Sequence, residues 1–198
     1  PNWINRGVYV WLRPSKAKRS YENSLRLLDL GFTVPQPLGY VERFTGGCLD
    51  DSYFISLQWP FTSDFRPFRN MDDRTLKPWL PKLEAFGAYI GRLHEAGVLH
   101  KDLSIGNVLM DEAKPSEFCL VDLNRMRFGY VNQTRGCANF GRLRGNSTFF
   151  KAVAKGYAQE RGFTEASCFQ LMWQANVKSL RFFARKARHK QRMANRGH

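Results

Sequence analysis

Apolar positions along this chain recur with two different periods. In SKAKRSYENSLRLLDLG, Tyr21, Leu25 and Leu28 fall at i, i+4 and i+7, which predicts a helix from about Ser15 to Leu30. Gly31 supplies its stop, and Pro35 and Pro37 break the chain beyond it. LGYVERF and SYFISLQW, joined by the turn-rich TGGCLDD, read as two strands of a hairpin. Pro60 to Asn70, rich in Pro, Phe and Arg, reads as a linker. A second helix is predicted from about Pro81 to Ala96, with Leu83, Phe86, Ile90 and Leu93 inward and Gly97 ending it. VLM and FCLVD, separated by DEAKPSE, predict a small hairpin, and the chain from about Ser147 onward reads as helical. Residues 1 to 13 predict no definite element, and no internal repeat or low-complexity segment occurs. The order gives an α+β chain with a strand-bearing small lobe and a helical large lobe.

At 198 residues and 43% hydrophobic, the chain can bury a core, and sixteen Phe and five Trp argue against disorder. The longest apolar runs are only four or five residues, too short to span a bilayer. Cys48, Cys119, Cys137 and Cys168 are scattered without a zinc-type spacing and are expected as reduced thiols of a cytosolic protein. A net charge of +14 attracts polyanions, whether nucleic acid, anionic lipid or a phosphorylated substrate. No RNA-recognition aromatic motif accompanies the charge, so no specific nucleic-acid partner is expected.

The chemistry concentrates in VLHKDLSIGNVLM, residues 98 to 110, where His100, Lys101, Asp102 and Asn107 sit between apolar runs. If Val108 pairs with Val121 and Leu109 with Leu120, Asn107 lies opposite Asp122, roughly 4.5–5.5 Å away at Cα. An amide oxygen and a carboxylate then converge as Mg²⁺ requires, while Asp102 stands in the loop at the mouth of the site. The pattern H-x-D-x-x-x-x-N arises by chance in roughly one such chain per hundred. The bland alternative is a loop whose Asp and Asn cap turns.

His100, Asp102 and Asn107, followed by a hairpin ending in Asp122, resemble the catalytic core of the protein-kinase-like fold. The resemblance implies that Asp102 orients the acceptor hydroxyl and takes its proton. It also implies that Asn107 and Asp122 hold Mg²⁺ on the phosphates of ATP, and that His100 points into the core. Leu123 and Asn124 replace the Phe-Gly that follows the metal Asp in protein kinases, and Ser104 stands where many carry a phosphate-binding Lys. A kinase for a small or lipid-linked hydroxyl fits better.

SKAKRSYENSLRLLDLGFTVPQPLGYVE, GVLHKDLSIGNVLM and FCLVDLNRMRFG together resemble the lipopolysaccharide kinase family, which includes Kdo and heptose kinases, over about residues 15 to 130. The likeness implies a single kinase-like domain over 1–198, with a partial N-lobe at 1–59 and a C-lobe carrying the catalytic loop at 60–198. It implies ATP-dependent phosphorylation of a sugar hydroxyl on lipopolysaccharide or a lipid A precursor, at the cytoplasmic face of a Gram-negative inner membrane. Glu22 falls where such folds place the Glu that pairs with a phosphate-binding strand Lys. Neither that Lys nor a Gly-rich loop is evident, and Lys16 and Lys18 are too close in sequence to cross from a strand. The expectation is a chain that starts just after the Lys and is inactive alone. Leu57 and Trp59 fall at the hinge that presents backbone groups to adenine. The tail LRFFARKARHKQRMANRGH places Leu180, Phe183 and Ala187 on one stripe among Arg and Lys, which suits an anionic membrane surface. Two alternatives stand beside this reading: a small-molecule phosphotransferase of aminoglycoside or choline kinase type, and a non-catalytic kinase-like binding module.

Overall fold

The computed structural model describes residues 14–60, 63–114 and 116–194. Helix α1 spans Lys16–Asp29; the Ser15 hydroxyl caps it by accepting from the Lys18 amide at 3.0 Å. Its buried residues are Ala17, Ser20, Ser24 and Leu27, and of the periodic Tyr21, Leu25 and Leu28 only Leu28 packs, partly buried, against the core. Small residues win the buried face because α1 lies close against the turn Leu123–Arg125. There the Asn23 side chain donates to the Leu123 carbonyl at 2.7 Å and Arg19 to that of Asn124 at 2.8 Å. Tyr21 leans instead on the first strand, its ring centroid 5.5 Å from that of Tyr40.

The first hairpin pairs β1, Pro37–Thr45, with β2, Cys48–Ser56, through a tight turn at Gly46 and Gly47, whose φ of 57° and 73° suits glycine. Cys48 to Asp51 therefore belong to a strand, whereas the predicted strand end Leu57–Trp59 lies beyond β2. Part of the expected linker, Phe65 and Phe68, belongs to the core. Ser63–Asp64 forms β3 and pairs with β5, Val108–Met110, which pairs in turn with β6, Phe118–Leu120. Phe65 and Phe68, three apart across a 3₁₀ turn, drive two rings inward, with centroids 4.5 Å from Phe86 and 6.0 Å from Phe149 respectively. Burying one such ring is worth about 1.5–3 kcal/mol, enough to fix an otherwise irregular segment.

A short helix α2, Asp73–Leu76, leads to α3, Leu80–Glu95, whose Leu83, Phe86, Ile90 and Leu93 are all fully buried as predicted. β4, Val98–His100, pairs with β7, Met126–Phe128. Three helices follow: α4, Gln133–Asn139, which periodicity did not predict; α5, Ser147–Arg161; and α6, Glu165–Ala194. α3 and α5 meet backbone to backbone. A Cβ on Gly87 would stand 2.1 Å from the Val153 carbonyl oxygen, and one on Gly156 would stand 1.8 Å from that of Glu84. Among the described residues, no helix is long and apolar enough to cross a membrane.

Candidate active site

The β5–β6 register is one residue away from the predicted one: Val108 pairs with Leu120 and Leu109 with Cys119. Asn107 therefore faces Val121, whose amide donates to its carbonyl at 3.1 Å, and Asp122 stands one residue past the pair. The reason is local. Asp122 takes a left-handed backbone, φ 59° and ψ 52°, so the chain leaves the ladder before it. Such a conformation is uncommon for a non-glycine residue and clusters at functional sites.

His100 is fully buried and organises the loop from below. Its Nε2 lies 3.0 Å from the Val121 carbonyl, and its Nδ1 accepts the Asp102 amide at 3.1 Å. A carbonyl can only accept, so Nε2 carries the proton, and burial lowers the affinity of the ring for a second one. The Asn107 amide nitrogen donates to the Asp102 carbonyl at 2.9 Å. One side chain thus spans the loop.

Two arginines that the motif did not predict hold the Asp102 carboxylate. Arg125 donates to Oδ2 at 3.1 Å and Arg142 donates to Oδ1. They supply positive charge beside Asp102, where Ser104 has none to give. A second buried relay supports the loop: Asn139 donates to the His100 carbonyl at 2.9 Å and accepts from His94 Nε2 at 3.1 Å. The other nitrogen of His94 then accepts from the Tyr157 hydroxyl at 3.0 Å. Burial pushes His94 down to about 3. No single-residue signal in the sequence marks Arg125, Arg142 or Asn139, because each comes from a different element.

The remaining predicted residues lie apart from this loop. Glu22 is half-exposed, and Lys18, one turn away on α1, reaches it at 4.0 Å although spacing excludes that lysine as the strand partner. Residues 1–13, which contain no Lys, lie outside the described residues. Leu57 is exposed and its amide donates to the Gln36 carbonyl at 2.9 Å; Trp59 is half-buried. Cys48, Cys119, Cys137 and Cys168 are free thiols.

No group of three or more His, Cys, Asp or Glu side chains gathers among the described residues as a metal cage. The donors expected from the sequence are the Asn107 amide oxygen and the Asp122 carboxylate. That suits Mg²⁺, which takes one or two protein oxygens and fills the rest of its shell with phosphate and water. The Asp122 carboxylate is exposed to such a partner and is oriented by Asn124, which donates to its Oδ1.

A structure of WaaP in complex with acyl carrier protein is similar to this chain, with a TM-score of 0.61 and 17% identity, covering 83% of this chain and 76% of that one. At that identity the likeness speaks to the fold, a kinase-like one of mixed helices and strands. No curated protein gives a significant sequence match. A sequence model of the lipopolysaccharide kinase (Kdo/WaaP) family matches residues 4–173, most of the chain, including the Asp102 loop, the Asp122 turn and the relay beneath them. On that match, the chain belongs to the lipopolysaccharide kinase (Kdo/WaaP) family.

Proposed function

We propose that the protein transfers the γ-phosphoryl group of ATP to a sugar hydroxyl, on Kdo or heptose, of the lipid A–core of lipopolysaccharide. The observation that carries this reading is the loop in which Asn107 ties back to Asp102 while Arg125 and Arg142 fix its carboxylate. Asp102 positions the acceptor hydroxyl and accepts its proton as the oxygen bonds to phosphorus, and the bond to the ADP leaving oxygen breaks. Asn107 and Asp122 would hold Mg²⁺, which would supply neutralisation of the phosphate charge. His100 keeps the loop in register, and Arg125 adds charge near the transferring group, where positioning and charge stabilisation carry most of the catalysis.

In this reading the described residues up to 59 belong to a strand-bearing N-lobe and those from 60 onward to a helical C-lobe. The nucleotide lies between them, its adenine near Leu57 and Trp59, and Glu22 on α1 pairs with the cation that holds its phosphates. The far end of α6 rests on anionic lipid at the cytoplasmic face of the inner membrane. Of the predicted stripe, Leu180 and Ala187 are exposed and Phe183 is not. Phe183 turns back toward Arg142 and Arg144, whereas Phe182 and Met193, eleven residues and about three turns apart, share an exposed side. Arg181, Arg185, Arg188 and Arg192 accompany them.

The test is phosphoryl transfer from labelled ATP by the complete encoded protein to three acceptor classes: Kdo–lipid A, heptose-bearing core, and an aminoglycoside or choline. Label in either lipopolysaccharide acceptor alone supports the proposal. Label in the cationic small molecules alone points to the other phosphotransferase class, and label in none favours a binding module.

A further inference from the structure

Beyond Asp102, on the side of α6, basic residues outnumber the acid they serve. Arg142 donates to Asp102, yet its guanidinium also lies 5.8 Å from the Phe183 ring centroid, and that of Arg144 lies 4.2 Å from the same ring. Arg144 reaches this position through a left-handed backbone, φ 59°, the only such non-glycine residue besides Asp122 among those described. Strain of that kind persists where the surroundings demand it, and ligand clamps are one such place. Burial and the neighbouring charges of Arg69 and Arg142 weaken the hold of the Arg144 guanidinium on its proton, so the three cations are crowded together. Among the described residues, neither Arg69 nor Arg144 makes an ion pair. Beside them opens a groove of about 550 Å³ between Ala138–Arg142 and α6, with Lys178, Phe183 and Lys186 on its wall.

We infer that Arg69, Arg142 and Arg144 bind an oxyanion carried by the acceptor, a phosphate or a sugar-acid carboxylate, and that Arg142 passes from Asp102 to this anion when the acceptor binds. The inference rests on the kinase reading and deepens it. A guanidinium pairs with either oxyanion through two parallel hydrogen bonds, and the Arg142 side chain, 40% exposed, is free to move toward the groove. Its departure uncovers Oδ1 of Asp102, the oxygen that then takes the proton of the acceptor hydroxyl. Arg125 stays on Oδ2 and keeps the carboxylate in place. An acceptor without the anion meets a base that is still covered, so the cluster selects substrate as well as holding it.

The experiment compares initial rates on two acceptors that differ only in the anion: the intact one, and one with its phosphates removed and its carboxylates reduced. Arg144→Gln should raise KM for the intact acceptor about tenfold, the scale of one lost charged hydrogen bond, and leave the stripped acceptor unchanged. Arg142→Gln should reverse sign between them: slower than wild type on the intact acceptor, faster on the stripped one. Arg144→Lys, which keeps the charge, should recover part of the loss, and unchanged melting temperatures establish that the variants fold. Equal effects on both acceptors, or slowing of both by Arg142→Gln, would overturn the inference. Inorganic phosphate provides a readout without turnover. It should bind wild type about tenfold more tightly than Arg144→Gln, and equal binding also overturns the site. If wild type phosphorylates neither acceptor, the kinase reading fails, while the phosphate titration still decides the anion site.

Discussion

The side-chain amide of Asn107 donates to the backbone carbonyl of Asp102 across 2.9 Å, so one proposed metal ligand also shapes the loop that carries the proposed base. Removing it should therefore cost twice, in metal affinity and in placement. A displacement of about 1 Å at a reacting centre is worth roughly 10²-fold in rate. Asn107→Ala is expected to lower kcat at least that far and to raise the Mg²⁺ concentration for half-maximal activity. Asn107→Asp, which keeps an oxygen but loses the donor, should restore the metal requirement more than the rate. Parallel recovery of both would separate Asn107 from loop geometry.

Acid should loosen the support beneath the site. His94 is buried and neutral, its pKa pushed from 6.5 down to about 3. Between those values the unfolded chain takes up a proton that the folded chain refuses, so this contribution is complete above pH 6.5 and lost as pH falls toward 3. At pH 5 the loss from His94 alone is on the order of 2 kcal/mol. His100 moves in the same direction for the same reason. Thermal melts at pH 7 and pH 5 should show a drop in Tm that His94→Gln makes smaller. An unchanged drop would mean that His94 does not titrate this way.

Gly156 lets α5 lie directly on α3. Adding a methyl group there meets the Glu84 carbonyl oxygen, a backbone atom that cannot rotate away. Gly156→Ala should destabilise by about 1–3 kcal/mol, the usual cost of overpacking. Chemical denaturation measures this as a lower midpoint with an unchanged slope. A midpoint within error of wild type would show that the helices separate freely.

Phe182 and Met193 lie exposed among arginines on α6. If this side rests on lipid, the protein should co-sediment with anionic vesicles and release as salt rises, since exposed charges are screened within about 8–10 Å near physiological ionic strength. Phe182→Ala should weaken the association without altering its salt dependence. Equal binding to neutral and anionic vesicles would leave α6 a solvated basic helix.

What the sequence made legible were the features that repeat locally. The α3 stripe of Leu83, Phe86, Ile90 and Leu93 follows helical spacing and is buried as predicted, and Gly31 and Gly97 stop their helices with φ of 79° and 71°. The α1 stripe marked the helix but not its buried face, because Asn23 and Arg19 tie it to a turn a hundred residues away, and hydrophobic periodicity has no term for such a contact. Phe65 and Phe68 were hidden by the prolines and arginines around them. At the site, the motif gave Asp102, Asn107 and Asp122 as neighbours, but the register slipped because Asp122 turns left-handed, which Leu123 and Asn124 do not announce. Arg125, Arg142 and Asn139 reach the loop from three other segments, and only the folded chain brings them there.

The central claim is that Asp102 is the base of a phosphoryl transfer. It is tested by kcat for transfer from ATP to the lipopolysaccharide acceptor in Asp102→Ala, measured alongside ATP affinity. The account predicts a fall in kcat of about 10²–10⁴, the share of a positioned acid–base group, with ATP binding little changed. Turnover like that of wild type in this variant would contradict it.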